Sequence, residues 1–172
     1  MKDRRKKPLW RKVNTRTHGV RHGGGEARWD RHTKAEAQNE ALIGSMHAGR
    51  RNGRDYTPLF KFLLSKVGQD WDAVHSEAVS RLDSEEPIWW MVARKDAEKA
   101  RFFRAGESSY YSKLWIDADN RLAKVDPDWG VEDMEPSCAC CTHTFNGMTL
   151  SRDYDAERYF AWSAKITAQA LA

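Results

Sequence analysis

The stretch SYYSKLWIDADNRLAKV, residues 109–125, decides the fold class. Apolar residues alternate around Leu114 and Ile116, the chain turns through Asp117 to Asn120, and it returns through Leu122 and Val125. This is the period and turn chemistry of a β-hairpin. Upstream, residues 57–92 read with helical spacing instead. Thr57-Pro58 opens a helix, with Thr57 as N-cap and Pro58 at the first helical position, and that helix carries Leu59, Phe60, Phe62, Leu63 and Leu64 before stopping near Gly68. Asp70 caps a second helix, whose Trp71, Val74, Ala78, Val79 and Leu82 fall on one face. Ser84 to Pro87 starts a third, opening onto Ile88, Trp89, Trp90, Met91 and Val92, and the following ARKDAEKARFFRAG either continues it or forms a loop.

Two further helices are predicted at the flanks. KAEAQNEALIGSMHAGRR, residues 34–51, is rich in strong helix formers and presents a narrow stripe of Ala41, Leu42 and Met46. DAERYFAWSAKITAQALA, residues 155–172, places Tyr159, Trp162, Ile166 and Ala170 at helical spacing, suited to docking on a core. The expected fold is α+β: a mainly helical single domain over residues 34–172 with a small β-hairpin sheet, preceded by a basic, extended N-terminal arm over residues 1–33.

That arm dominates the charge of the 172-residue chain. Residues 1–34 hold twelve Lys and Arg against Asp3, Glu26 and Asp30, a local charge of +9, so the net +4 leaves −5 elsewhere. Clustered cations neutralise phosphates and release condensed counterions, which favours association with nucleic acid. A solubilising tail would also be charged, yet it would have little use for Trp10 and Trp29, for His18, His22 and His32, or for the run Gly23-Gly24-Gly25. Interleaved rings and guanidinium groups stack on unpaired bases, and glycines let backbone approach a phosphate. In composition the segment is similar to the extensions of ribosomal proteins that thread into folded RNA. The candidate nucleic-acid-binding residues are Arg4, Arg5, Lys6, Lys7, Trp10, Arg11, Lys12, Arg16, Arg21, Arg28, Trp29 and Arg31, with His47 near the basic GRRNGR as an addition.

All three cysteines fall in CACCTHTFNG, residues 138–147. Cys138 and Cys141 form a C-x-x-C pair able to chelate one tetrahedral ion from a tight turn, Cys140 can replace either, and His143 supplies an imidazole. The expected cofactor is Zn²⁺, with Cys138, Cys140, Cys141 and His143 as the ligand set. Candidates for any missing ligand are Asp133, Glu135, or a histidine from the arm. Three thiolates are too few for the usual iron–sulfur cluster, and no thioredoxin-like pattern surrounds the pair.

Other chemistry is weakly signalled. HGGG at residues 22–25 matches an oxyanion-hole loop, but no nucleophile elbow follows. His143 and Asn146 are similar to the metal-site pair of ββα-metal nucleases, though their spacing does not fit. Asp70, Asp72 and Glu77 are explained by helix capping and solvation. No apolar run approaches the roughly 18 residues of a membrane span, no apolar segment follows the charged N-terminus, and clustered thiols suit a reducing compartment. The expectation is an intracellular, cytoplasmic protein that binds RNA, possessing a ribosome-associated or structural role. The alternatives are a metal-dependent enzyme acting on nucleic acid and a viral or phage assembly protein with a nucleic-acid-facing arm.

Overall fold

The computed structural model describes residues 6–12, 54–105 and 108–170. Among these, the elements follow the order β1 (Arg11–Lys12), β2 (Arg54–Asp55), α1 (Thr57–Ser65), α2 (Trp71–Ser80), α3 (Ile88–Met91), β3 (Val92–Ala93), β4 (Phe102–Arg104), β5 (Ser109–Ser112), β6 (Leu114–Ile116), β7 (Leu122–Lys124), β8 (Thr144–Phe145), β9 (Met148–Thr149) and α4 (Ala156–Ala170). The predicted helix over 34–51 lies outside the described residues.

The α+β class holds, but the expected dominance of helices does not. Two mixed sheets carry the fold, one of three strands in the order β3-β6-β7 and one of four in the order β4-β5-β8-β9. The predicted hairpin is present as β6 and β7, antiparallel with Leu114 opposite Lys124 and Ile116 opposite Leu122. It is not an isolated sheet, because β3 adds in parallel along β6. The region read as helix or loop after Val92 instead runs through β3, a 3₁₀ turn at Asp96–Glu98 and β4.

The four-stranded sheet separates two cores. On β4, Phe103 packs with the main core while Phe102 packs with a second cluster, and on β5 Tyr111 and Tyr110 divide in the same way. Successive side chains of a strand point to opposite faces, so the doublets Phe102-Phe103 and Tyr110-Tyr111 mark strands with apolar neighbours on both sides. The main core gathers Leu59, Phe60 and Leu63 of α1, Trp71, Val74 and Ala78 of α2, and Ile88 and Met91 of α3 against Leu114 and Leu122. Val79, expected on the buried face of α2, is instead exposed. The smaller cluster is Tyr110, Met134, Phe145 and Leu150, lined by Phe102, Trp129, Val131 and Trp162. Lys113 sits between β5 and β6, where the chain passes from one sheet to the other. Its Nζ donates to the Trp90 carbonyl at 2.9 Å, and burial lowers its pKa from the ordinary lysine value.

Caps and turns follow the local chemistry with one correction. Asp70 caps α2 as expected, accepting from Ala73 N at 3.0 Å. Thr57 does not cap α1. The N-cap is Tyr56, and both the backbone N–H and the hydroxyl of Thr57 donate to Asp55 Oδ1, at 2.8 and 2.6 Å. The buried carboxylate of Asp55 thus takes both the first helical N–H and the Thr57 hydroxyl, whose proton is then spent on Asp55. Among the described residues, no helix is long and apolar enough to cross a membrane.

Candidate metal centre

The loop that carries the cysteines is held at both ends before any metal is considered. Its approach is punctuated by Pro127, Gly130 and Pro136. A 3₁₀ turn at Val131–Asp133 is closed by Asp133 Oδ2 accepting from Gly130 N at 2.8 Å. Met134 is fully buried, and the Trp129 indole donates to its sulfur at 3.2 Å. Glu135 is only 3 % exposed. Its Oε1 accepts from Arg152 Nη1 at 2.5 Å and its Oε2 from Arg158 Nε at 2.6 Å. An ionised carboxylate buried at that depth needs both partners, and two guanidinium groups supply them.

The far end of the loop is β8, which pairs in parallel with β5, Ser109 opposite Thr144 and Tyr110 opposite Phe145. β8 then turns into β9 through Asn146 and Gly147, whose φ values of +52° and +84° make a tight hairpin turn of the Asn-Gly kind. Asn146 is fully engaged in this turn. Its Oδ1 accepts from Ser112 N and its Nδ2 donates to Ser112 Oγ, both at 2.9 Å. That accounts for Asn146 beside the cysteines without any phosphate chemistry.

Between these anchors the three thiols converge. The Sγ atoms of Cys138, Cys140 and Cys141 all lie within 4.8 Å of one another. The Cys138–Cys140 and Cys140–Cys141 separations are 3.2 and 3.7 Å. Thiolates around one tetrahedral zinc at ~2.3 Å are about 3.8 Å apart, so small side-chain adjustments reach that arrangement. His143 is 3 % exposed and stands at the edge of the group, its Nε2 lying 3.7 Å from Cys138 Sγ. That nitrogen already accepts from Ser137 N at 3.2 Å and contacts Ser137 Oγ at 2.9 Å.

The electrostatics suit a cation. Burial, aided by the charge of Arg104, lowers the pKa of His143, which keeps the imidazole neutral and able to donate a lone pair. Partial burial opposes ionisation of Cys138, but hydrogen bonds from Cys140 and Cys141 outweigh it and lower that thiol's pKa. Burial, with the neighbouring Cys138 and Cys140, pushes the Cys141 thiol up to about 12. One negative charge therefore discourages the next, and a divalent cation relieves that repulsion.

The other predicted ligands fare differently. Asp133 and Glu135 are occupied by Gly130 N and by the two arginines, so neither serves the cysteines, and His18, His22 and His32 lie outside the described residues. Sequence reasoning missed Ser137 as the partner of His143 and the Arg152–Glu135–Arg158 clamp. The first had a local signal in its proximity to His143, and the second had none.

Of the candidate nucleic-acid-binding residues, Arg4, Arg5, Arg16, Arg21, Arg28, Trp29 and Arg31 lie outside the described residues. His47 lies outside them too, while Lys6, Lys7, Trp10, Arg11 and Lys12 fall within the described stretch 6–12. Lys6 Nζ is 3.5 Å from Glu77 Oε1, Arg11 pairs with Asp55, and Trp10 is half-buried under the Arg54 guanidinium at 4.5 Å. Lys7 is exposed, although its carbonyl accepts from Arg81 Nε at 2.9 Å. Leu9 is 2 % exposed, within the main core, and Arg11 and Lys12 pair with Asp55 and Arg54 as a two-stranded ladder. The basic segment is therefore stitched to the body at residues 6–12. No protein family, curated protein or solved structure matches this chain.

Proposed function

We propose that this protein binds RNA through its basic N-terminal segment, in a structural role on folded RNA such as the ribosome's, while the cysteine loop holds a Zn²⁺ ion. The supporting observation is the segregation of charge. Residues 1–34 carry +9, residues 35–125 balance to zero, and residues 126–172 carry −5. Lys6 and Arg11 pair with Glu77 and Asp55 of the body, yet the segment's charge in sequence far exceeds those two pairs, which favours a phosphate-binding surface. The anchored stretch at residues 6–12 ties that surface to a rigid body, which restricts the orientations it samples and reduces the ordering cost of binding.

The zinc reading rests on the convergence of three thiols beside a neutral imidazole. Cys138, Cys140 and Cys141 would supply sulfur, and His143 Nε2 would complete the set by exchanging its Ser137 hydrogen bonds for the metal. The ion's contribution is to tie together a loop that contains few buried apolar side chains.

The RNA reading is tested by salt titration of the full chain against single-stranded RNA, duplex DNA and heparin. Replacing Arg16, Arg21, Arg28 and Arg31 with Gln should weaken RNA binding and flatten its salt dependence by roughly 0.7 log units per lost contact. Unchanged affinity and slope in that variant would remove the segment from the binding surface. Equal binding to all three polyanions would reduce it to a nonspecific cation.

A further inference from the structure

The acidic end of the chain bears an aromatic surface that neither the RNA reading nor the metal reading uses. Trp129 stacks on Phe102 with centroids 6.2 Å apart, and Phe102 stacks on Trp162 at 5.8 Å. Trp162 meets Tyr159 at 5.9 Å, and Tyr159 meets Phe160 at 5.6 Å and Tyr154 at 6.4 Å. Phe160 is 67 % exposed, the most exposed large apolar side chain among the described residues. Glu157, Phe160, Ala161, Ala164 and Ala168 follow helical spacing on one exposed face of α4.

We propose that this face docks an arginine-rich peptide segment of a protein partner. Charge complementarity makes the first argument. Residues 126–172 contain eight Asp and Glu against three Lys and Arg, and two of those cations, Arg152 and Arg158, are committed to buried Glu135. Asp128, Glu132, Asp133, Asp153, Asp155 and Glu157 are exposed and close along the chain to Trp129, Tyr154, Tyr159 and Phe160, with Asp153 and Asp155 beside Arg158. Lys165 of α4, Arg101 and Arg104 are cations that oppose them, and Arg101 is itself paired with Asp126. The second argument is that these rings already receive guanidinium from their own chain, with Arg101 at 4.8 Å over Trp129, and Arg104 at 5.9 Å over the buried Tyr110 that meets Phe102 edge-on. Planar guanidinium stacks on such rings while donating to carboxylates at its edge, whereas an ammonium does only the second well. The site therefore favours arginine over lysine.

The test uses full-length, nuclease-treated protein with fluorescein-labelled nona-arginine and nona-lysine, read by anisotropy at fixed salt. Nona-arginine should bind more tightly than nona-lysine. Phe160→Ala should weaken nona-arginine by about two- to fivefold, the loss of one exposed cation–π contact, and leave nona-lysine unchanged. Glu157→Gln should weaken both peptides. Because both side chains face solvent, circular dichroism of each variant should match the parent. Equal affinity for the two peptides, or indifference to Phe160→Ala, would overturn the proposal in favour of charge alone. Self-association that Phe160→Ala abolishes would replace the peptide with a second copy of the chain, and no binding of either peptide would eliminate the surface.

Discussion

The two sides of the four-stranded sheet are built on different principles. On one side, Leu59, Leu63, Ile88, Met91, Leu114 and Leu122 are all fully buried, and helices cover them. Burial of such side chains contributes about 1.5–3 kcal/mol each relative to exposure. On the other side the buried apolar cluster is smaller, Tyr110, Met134, Phe145 and Leu150, and Trp162 of α4 stacks on Phe102 of β4 and donates its indole N–H to the Asp133 carbonyl at 2.7 Å. This lobe relies on ring stacking, the Glu135 clamp and the bonds of Asn146 to Ser112. The contrast teaches that where apolar area runs short, directional bonds take over the work of holding a loop.

The largest expected effect strikes the main core from an unexpected quarter. Truncating residues 1–12 removes Leu9, about 1.5–3 kcal/mol of burial, and strands Asp55, 3 % exposed, without Arg11. Urea unfolding should show a loss of several kcal/mol across the whole molecule. A truncated chain with unchanged midpoint would mean that the basic segment is merely appended to the body.

Next comes the clamp. Glu135→Gln keeps the shape but leaves two arginines facing a neutral amide, and since both are part-exposed the cost should be about 1–3 kcal/mol. Hydrogen exchange should rise between Glu135 and Leu150 more than in α1. A uniform rise in both places would erase the distinction between the two regions.

A pH scan probes the pairing of the buried Asp55 carboxylate with the exposed Arg11 of the basic segment. Burial works to raise the Asp55 pKa, but hydrogen bonds from Thr57 and Arg11 and the charge of Arg11 bring it below 3.8. The folded state thus binds this proton less readily than the unfolded one. Its contribution to stability is present above about pH 4 and is lost as pH falls through the folded value. Asp55→Asn should flatten the fall in Tm between about pH 4 and pH 2, and an unaltered curve would show that other carboxylates govern it.

The smallest effect on the main core is expected from the metal loop. Protein purified without chelator should carry about one zinc per chain by mass spectrometry, and Cys138→Ser should lose it. Exchange should quicken between Pro136 and Ser151 while α1 and α2 keep their protection. Three freely reactive thiols and no stoichiometric metal would leave the loop held by Glu135 and Asn146 alone.

Much of the main core was legible in the residues themselves. The apolar spacing of α1 and α2 and the Asp70 cap are signals contained within a turn or two of helix, and the hairpin at residues 114–124 joins neighbours through a short turn. The cysteine cluster was legible for the same reason, since three thiols within four positions cannot avoid one another. The second sheet was not. Its strands are two to four residues long, too short to display a period, and its central pairing joins Ser109 to Thr144 across the hairpin and the whole approach to the cysteines. The available traces were Asn146-Gly147, in the stretch that reads as loop, Phe102-Phe103, in the stretch that reads as helix or loop, and Tyr110-Tyr111, in the alternating stretch that reads as hairpin.

By itself, then, the sequence determined the helical faces, the hairpin, the segregation of charge and the gathering of thiols, because each depends on residues close along the chain. Only the tertiary structure decided that Leu9 belongs to the core and that Glu135 serves two arginines rather than a metal. It also decided that Thr57 is the first residue of α1 and donates to Asp55 instead of capping the helix. Those outcomes turn on which distant groups compete for one buried acceptor or one apolar cavity, and burial raises the stakes of that competition in a way that no local spacing records.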